Sequence, residues 1–353
     1  MTSSDSALLS VRHLSMYFGR GPYAKKAVDD VSFDINKGEV FGLVGESGCG
    51  KTTTGRTIIR LYDATGGEVY FKGQRIVAGT LEYRKQINEL NEKIKTASPE
   101  QAEEMKNKIS ELRKEIKKAK HDQKHADKKL VTKIQMIFQD PVASLDPRMT
   151  VREIIAEGLK IQGVKDKKFI DQEVYRMLDT VGLVAEHAQR YPHEFSGGQR
   201  QRIGVARSVI MNPEVIIADE PISALDVSIR AQVINLLNDL RKSMGLTILF
   251  IAHDLSVVKY FSDRIGVMYF GKMVEMASSD ELFLNPLHPY TRSLLSAIPQ
   301  PDPEYEKGRT RISYNPLKDH DYSTDKPSFK EIKPGHFVLC NDAEFRQYLS
   351  ILK

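Results

Sequence analysis

The sequence predicts an α/β fold around a phosphate-loop core, and three observations carry that prediction. A short apolar run, residues 40–44, leads into the stretch Gly45-Glu46-Ser47-Gly48-Cys49-Gly50-Lys51-Thr52-Thr53 and then into a helix-like segment over 53–61. A second apolar run, 215–218, ends in the adjacent carboxylates Asp219 and Glu220. Around both, short β-branched runs alternate with helix-patterned segments, the texture of a sheet covered by helices.

Bulk composition is compatible with this. The chain has 353 residues, 52 Lys+Arg against 47 Asp+Glu, a formal net charge of +5 and 41% hydrophobic residues. That is enough apolar material for a buried core, and the length suggests roughly two domains. No apolar run reaches the ~18–20 residues a membrane-spanning helix needs. The opening Met1-Thr-Ser-Ser-Asp5 lacks the basic start and apolar stretch of a signal peptide. Two cysteines, Cys49 and Cys340, cannot build a disulfide framework or a four-thiolate cluster. A cytosolic chain is therefore expected.

Taken in order, residues 7–78 have strand texture, with β-branched runs at 8–11, 31–33, 40–44 and 68–71 broken by glycines. Residues 79–130 differ: 14 basic and 10 acidic side chains fall among 52 positions. Tyr83, Ile87, Leu90 and Ile94 are spaced 4-3-4, and Met105, Ile109, Leu112, Ile116 and Ala119 are spaced 4-3-4-3. That is the seam of paired helices. Between them, Ser98 can cap a helix that starts at Pro99, with Gln101 closing a capping box. A helical hairpin with a longer second arm is predicted. Residues 131–300 return to mixed α/β texture, and 301–353 are richer in Pro, Asp, Lys and Tyr, as in a small appended extension.

The chemistry begins at Gly45–Thr52, which fits G-x-x-x-x-G-K-[ST] after a strand and before a helix that Thr53 opens. Its glycines let backbone N–H groups turn inward around phosphate oxygens. Lys51 brings a cation to the β/γ-phosphates, and the Thr52 hydroxyl suits Mg2+. At the end of 215–219, Asp219 would reach the same metal through water, and Glu220 is the natural general base. Phe195-Ser196-Gly197-Gly198-Gln199 then opens a run carrying Arg200, Arg202 and Arg207 on a predicted helix.

Together these motifs resemble those of ATP-binding-cassette (ABC) ATPases, in which Ser196 to Gln199 would be the signature sequence, with Phe195 where Leu is usual. The other family elements follow in order. Gln139 resembles the Q-loop glutamine, a further Mg2+ ligand. Ser223-Ala-Leu-Asp226 resembles the D-loop, and His253 the switch histidine. Tyr17 sits where the family places an aromatic that stacks on adenine, with Phe18 and Tyr23 close by. The blocks around Gln139, Asp219 and His253, and His288-Pro-Tyr-Thr-Arg-Ser-Leu-Leu-Ser-Ala-Ile-Pro299, are similar to those of ATP-binding subunits of oligopeptide and dipeptide importers, in the F-type (OppF-like) form.

The resemblance implies a RecA-like P-loop core, an antiparallel β subdomain and an α-helical signature subdomain over about 145–212. It places the ATPase domain at 1–300, with 79–130 inserted and 301–353 as C-terminal extension. It implies ATP and Mg2+ as ligands and a catalytic pair, Glu220 and His253. It implies a head-to-tail pairing with a D-type ATPase subunit, two membrane permeases and an extracytoplasmic peptide-binding protein, at the cytoplasmic face of the membrane. Many relatives carry a tail cysteine cluster for an iron–sulfur centre. Only Cys340 stands in this tail, so no cluster is expected. Two rival readings are an ABC-type ATPase acting on nucleic acid and a non-catalytic regulatory subunit. Against the first stand the importer-like blocks and the lack of an aromatic-interleaved basic surface; against the second, the intact Glu220 and His253. The transported substrate is not legible. The charge has an address, since 79–130 carry +4 and the other 301 residues +1. The hairpin is then either a solvated pair or a place where lysines meet anionic lipid or an acidic partner.

Overall fold

The computed structural model describes residues 7–19, 21–223, 225–298 and 311–352. The chain forms two compact units. The first holds 1–36, 48–131 and 270–272; the second holds 37–47, 132–269 and 273–353.

The first unit is an antiparallel sheet with the helical insertion. Its strands β1 (Ala7–Phe18), β2 (Lys25–Asn36), β4 (Gly66–Phe71) and β5 (Gln74–Ala78) lie in the order β2-β1-β4-β5. Leu9, Val11, Leu14, Val31, Phe33, Ile35, Val69 and Phe71 are buried from alternating positions, the pattern of a sheet with one face in a core. The helix α1 (Lys51–Ile58) belongs to the same unit.

The predicted hairpin is present as α2 (Leu81–Ile94) and α3 (Pro99–His125), the second arm nearly twice the first. Ser98 and Gln101 form the expected capping box at the start of α3. Every seam residue named above is partly or fully buried, with Ile109 and Ala119 most deeply, while most intervening positions are exposed. The base of α3 is tied to the sheet. Arg75 pairs with both Glu68 and Asp122. The Ala78 N–H donates to Gln123 Oε1, Gln123 Nε2 donates to Asp63, and Arg60 donates to the Gln123 carbonyl at 2.7 Å.

The second unit is built on an eight-stranded sheet in the order β11-β12-β10-β9-β3-β8-β7-β6. Its parallel centre comprises β9 (Arg264–Tyr269), β3 (Val40–Val44), β8 (Thr247–Ala252), β7 (Val215–Asp219) and β6 (Ile134–Ile137). The strands β3, β7 and β8 are buried along their whole length, as strands covered on both faces must be. Helices α4 (Lys128–Val131) and α5 (Pro141–Ser144) flank β6 in sequence. Then α6 (Val151–Ile161), α7 (Lys167–Thr180) and α8 (Gly197–Val209) form the helical part. The helices α9 (Val227–Met244) and α10 (Leu255–Phe261) follow β7 and β8.

Residues 299–310, across the boundary expected at 300, lie outside the described residues. From 311 onward the extension belongs to the second unit. Its hairpin, β11 (Ser328–Lys333) and β12 (His336–Cys340), continues the main sheet by pairing β12 antiparallel to β10 (Lys272–Ser278). A buried polar knot fixes the junction. His336 is 0% exposed, with Nε2 at 2.9 Å from Glu275 Oε1 and Nδ1 at 3.0 Å from Glu281 Oε1. Lys333 reaches Glu281 at 2.6 Å, and Glu275 also accepts the N–H groups of Leu287 and His288. Burial raises the Glu281 carboxyl, but Lys333, Asn285 and His336 outweigh it and hold it low. Sequence reasoning gave residues 333–338 no chemistry. Their partners lie more than 50 positions away, and no local pattern announces them. No helix among the described residues is long and apolar enough to cross a membrane.

Candidate functional site

The phosphate loop takes its shape from glycines. The chain leaves β3 and turns through Gly45, Gly48 and Gly50 at φ of 147°, 82° and 109°, values an L side chain resists. Gly50 is the left-handed N-cap of α1, and its carbonyl accepts the Thr54 N–H at 2.8 Å and the Thr54 hydroxyl at 3.0 Å. The first turn of a helix presents N–H groups that no intrahelical carbonyl takes, and the helix dipole favours anions there. Lys51 stands in that turn, 3% exposed, with Nζ 3.8 Å from Cys49 Sγ. Burial pushes the Cys49 thiol up, so it fills space as a neutral group. Thr52 and Thr53 are half-buried in the same turn. Of the loop, Gly45–Ser47 fall in the second unit and Gly48–Thr53 in the first.

The Glu46 N–H donates to the Tyr290 hydroxyl at 3.0 Å. Tyr290, on α12 (Pro289–Ser296), is fully buried and packs on Tyr269 and Tyr314. Sequence reasoning used the 288–299 block only for resemblance, so this brace of the loop was missed.

Three of the expected residues meet in the second unit. Gln139 Nε2 donates to Glu220 Oε2 at 3.1 Å, and His253 Nδ1 lies 3.1 Å from the same oxygen. A carboxylate only accepts, so Nδ1 carries the hydrogen there. Glu220 is held in an unusual way. Its φ is 44°, a left-handed conformation that costs a non-glycine residue of order 1–3 kcal/mol. The surroundings enforce it. The Glu220 N–H extends the β7–β8 ladder to the Ile251 carbonyl at 2.9 Å, and its own carbonyl accepts from Ser223 N–H and Oγ. Asp219, one residue earlier, is fully buried at the end of β7. The side chain at 220 thus leaves the sheet at the C-terminal end of its parallel strands, where open α/β sheets place their ligands.

Ser196 is the N-cap of α8 in a capping box with Gln199. The Gln199 N–H donates to Ser196 Oγ at 3.3 Å, and the Ser196 N–H to Gln199 Oε1 at 3.0 Å. The Gln199 side chain is thereby spent on structure, while the Ser196 hydroxyl hydrogen is left to donate. Gly198 is required by space, since a Cβ there would stand 2.5 Å from Ile229 Cγ2. The arginines of the run are structural. Arg200 donates to the Phe195 carbonyl, Arg202 to the Val181 carbonyl and Gln232, and Arg207 to the Ser144 carbonyl. The Arg207 guanidinium also lies over the Phe138 ring. It therefore joins α8 to the segment just after Gln139. Asp226 is the N-cap of α9, accepting from Ile229 N–H and Ser228 Oγ. Of the D-loop, Ala224 lies outside the described residues.

Tyr17 is half-buried in the first unit. Its hydroxyl donates to Asp29, and Lys26 lies over its ring at 5.3 Å. Burial, then the Asp29 bond, pushes the phenol up to about 12. Phe18 instead meets Tyr62 edge-on, and Tyr23 is almost wholly exposed.

Comparison with known proteins gives concordant findings. The ABC transporter family model matches residues 28–130 and 109–223. The model for the C-terminal region of oligopeptide/dipeptide transporters matches residues 274–326. The chain is similar to the oligopeptide transport ATP-binding protein OppF of Bacillus subtilis, 55% identical over 97% of this chain and 98% of the relative. It is 50% identical to AmiF of Streptococcus pneumoniae over 97% of both chains. It is 48% identical to the dipeptide transport ATP-binding protein DppF of Lactococcus lactis, over 97% of this chain and 96% of the relative. Among solved structures, cbiO1 from Clostridium perfringens aligns with a TM-score of 0.58 at 22% identity, over 79% of this chain and 91% of that one. A dimeric ATP-binding cassette bound to ADP and Pi aligns at 0.57 and 24% identity, over 77% and 98%. These two bear on the fold alone.

Proposed function

The chain belongs to the ABC transporter ATPase family, and from that premise we propose that it hydrolyses ATP to drive uptake of oligopeptides or dipeptides through separate membrane permeases. The observation that carries the reading is the Glu220 carboxylate, set just past the end of β7 between Gln139 and His253. A general base needs a fixed carboxylate within reach of a water, with a partner to orient it.

Residue by residue, the loop amides and Lys51 would hold the β/γ-phosphates, and the Tyr290 brace at Glu46 would keep the loop in shape. Tyr17 would stack on adenine through the ring face that Lys26 leaves open. Thr52, Gln139 and Asp219 offer a hydroxyl, an amide oxygen and a buried carboxylate, the hard donors that suit Mg2+. Mg2+ held by such donors would supply positive charge to the phosphates. Glu220 would take a proton from the attacking water, and His253, with Nδ1 committed to Glu220, would turn Nε2 toward the γ-phosphate. Ser196 and the amides of Gly197 and Gly198 would cap the γ-phosphate bound by a second cassette of the D-type. Asp226, at the cap of α9, would lie near that contact. ATP then favours the closed pair and its cleavage releases it.

Two permeases and an extracytoplasmic peptide-binding protein would complete the importer, with this chain peripheral at the cytoplasmic face. The relatives' names support the peptide substrate. The test is Glu220→Gln in the assembled complex. ATP binding should persist while hydrolysis falls by roughly 10²–10⁴-fold, and peptide uptake should stop. Hydrolysis at the wild-type rate would remove Glu220 from the base role.

A further inference from the structure

The positive charge of the hairpin is not spread along it. Residues 79–112 carry 6 basic and 7 acidic side chains, whereas 113–130 carry 8 basic and 3 acidic. The base of α3 and the turn after it therefore hold a net +5, equal to the formal charge of the whole chain. Arg113, Lys114, Lys117, Lys118, Lys120 and Lys124 are all exposed. None of these six forms an ion pair within 4.0 Å among the described residues.

Helix geometry gathers them on one side. The seam residues Ile109, Leu112, Ile116 and Ala119 turn toward α2 and the sheet, and so do Asp122 and Gln123 through their bonds to Arg75 and Ala78. At 100° per residue, Lys114, Lys117, Lys118, His121, Lys124 and His125 fall on the opposite face, along about 18 Å of helix. His121 and His125 stack there with ring centroids 4.1 Å apart. Of the acidic residues in this stretch, Asp122 is engaged by Arg75 and Glu115 lies toward the flank. The anchoring bonds make the face a fixed one.

We propose that this face binds anionic lipid headgroups, so that the chain touches the bilayer directly as well as through its permease partners. The chemistry selects this occupant. The outer face is built of lysines, compact hydrated charges suited to a diffuse anionic surface, with Arg113 at its edge. Bidentate phosphate recognition favours Arg. α3 contains no Phe, Tyr or Trp, so it neither stacks bases nor inserts into acyl chains. Clusters of four to eight lysines or arginines on a surface helix are the usual electrostatic contact with acidic lipid. The proposal rests on the reading of the chain as a membrane-docked subunit, but its test is separate.

The test is vesicle flotation of the full chain, with phosphatidylglycerol in phosphatidylcholine against phosphatidylcholine alone, at low and high salt. The protein should float only with the anionic vesicles and only at low salt. Lys114→Gln, Lys117→Gln, Lys118→Gln and Lys124→Gln together should lower partitioning by roughly 600-fold, since each lysine contributes roughly fivefold near such a surface. Gln keeps helix propensity, and unchanged circular dichroism and ATPase activity would verify folding. A matched set at the other end, Lys85→Gln, Lys93→Gln, Lys95→Gln and Lys106→Gln, should change partitioning little. Equal loss with both sets, binding to neutral vesicles, or displacement from vesicles by an equimolar DNA duplex would each overturn the proposal. Glu220→Gln should keep vesicle binding, so failure of the ATPase reading and failure of the lipid reading show up in different assays.

Discussion

Replacing His336 with alanine should destabilise the second unit by cutting the tie between its C-terminal extension and β10. The imidazole is fully buried between two carboxylates, Glu275 at 2.9 Å and Glu281 at 3.0 Å. The two are not equally dependent on it. Glu281 keeps Lys333 at 2.6 Å and the Asn285 amide. Glu275 is 0% exposed and, among the described residues, keeps the N–H groups of Leu287 at 2.7 Å and His288 at 3.0 Å. Removing one partner of a buried pair costs about 3–5 kcal/mol, because a buried carboxylate is left short of a hydrogen-bond donor. The two amides that remain put this case near ~3 kcal/mol. Urea unfolding followed by circular dichroism reads the change, which should appear as a lower midpoint at similar slope. The control is the double variant His336→Ala with Glu275→Gln. It removes the stranded carboxylate and should be more stable than the single variant. A single-variant loss under about 1 kcal/mol, or a double variant no better than the single, would refute the reasoning that a buried His336–Glu275 pair holds the extension to β10.

Four further outcomes are expected. Tyr290→Phe removes the hydroxyl that accepts the Glu46 N–H; one such bond is worth about 1 kcal/mol, so nucleotide affinity measured by calorimetry should fall roughly fivefold. Gly198→Ala puts a Cβ 2.5 Å from Ile229 Cγ2; thermal unfolding should show a loss of about 1–3 kcal/mol, relieved by adding Ile229→Ala. His288 is pushed down to about 3, first by burial and then by His320 and Arg292, from 6.5. The unfolded chain therefore binds the extra proton between these values, so stability is full above pH 6.5 and falls on acidification by up to about 1.4 kcal/mol per pH unit. His288→Asn, which can still cap α12, should flatten that slope in urea titrations at pH 7 and pH 5. Burial raises both thiols, Cys340 to about 11, so iodoacetamide at neutral pH should label neither Cys49 nor Cys340 until the protein is unfolded.

What was legible in the sequence was what is local. The Gly45–Thr52 loop, the strand ending at Asp219 and the capping box at Ser98 each declare themselves within a dozen residues. The hairpin seam did so through its 4-3-4 spacing alone, and each seam residue is sheltered in the structure. Two kinds of information were not local. The left-handed backbone at Glu220 is imposed by Ile251 and by the turn at Ser223, and no pattern around a glutamate signals it. The roles of Tyr290, His336 and Arg207 rest on partners 244, 61 and 63 positions away. The capping duty of Gln199 was not named from the sequence, although the Ser196-x-x-Gln199 spacing is that of the capping box the structure forms.

The place of β12 has a consequence for how the chain is made. Among the described strands it is the furthest along the chain, yet it lies inside the sheet, between β11 and β10. Until it arrives, the emerging chain displays β10 as a bare strand edge with Glu275 behind it, and bare edges invite pairing with other chains. Domains form as they are translated, from the N-terminus onward. In the second unit the sheet stays open at β10 until the hairpin of residues 328–340 pairs with it. Removing residues 311–352 would leave every nucleotide motif in place and still open that edge, so the extension protects the chain from pairing with others as well as completing its fold.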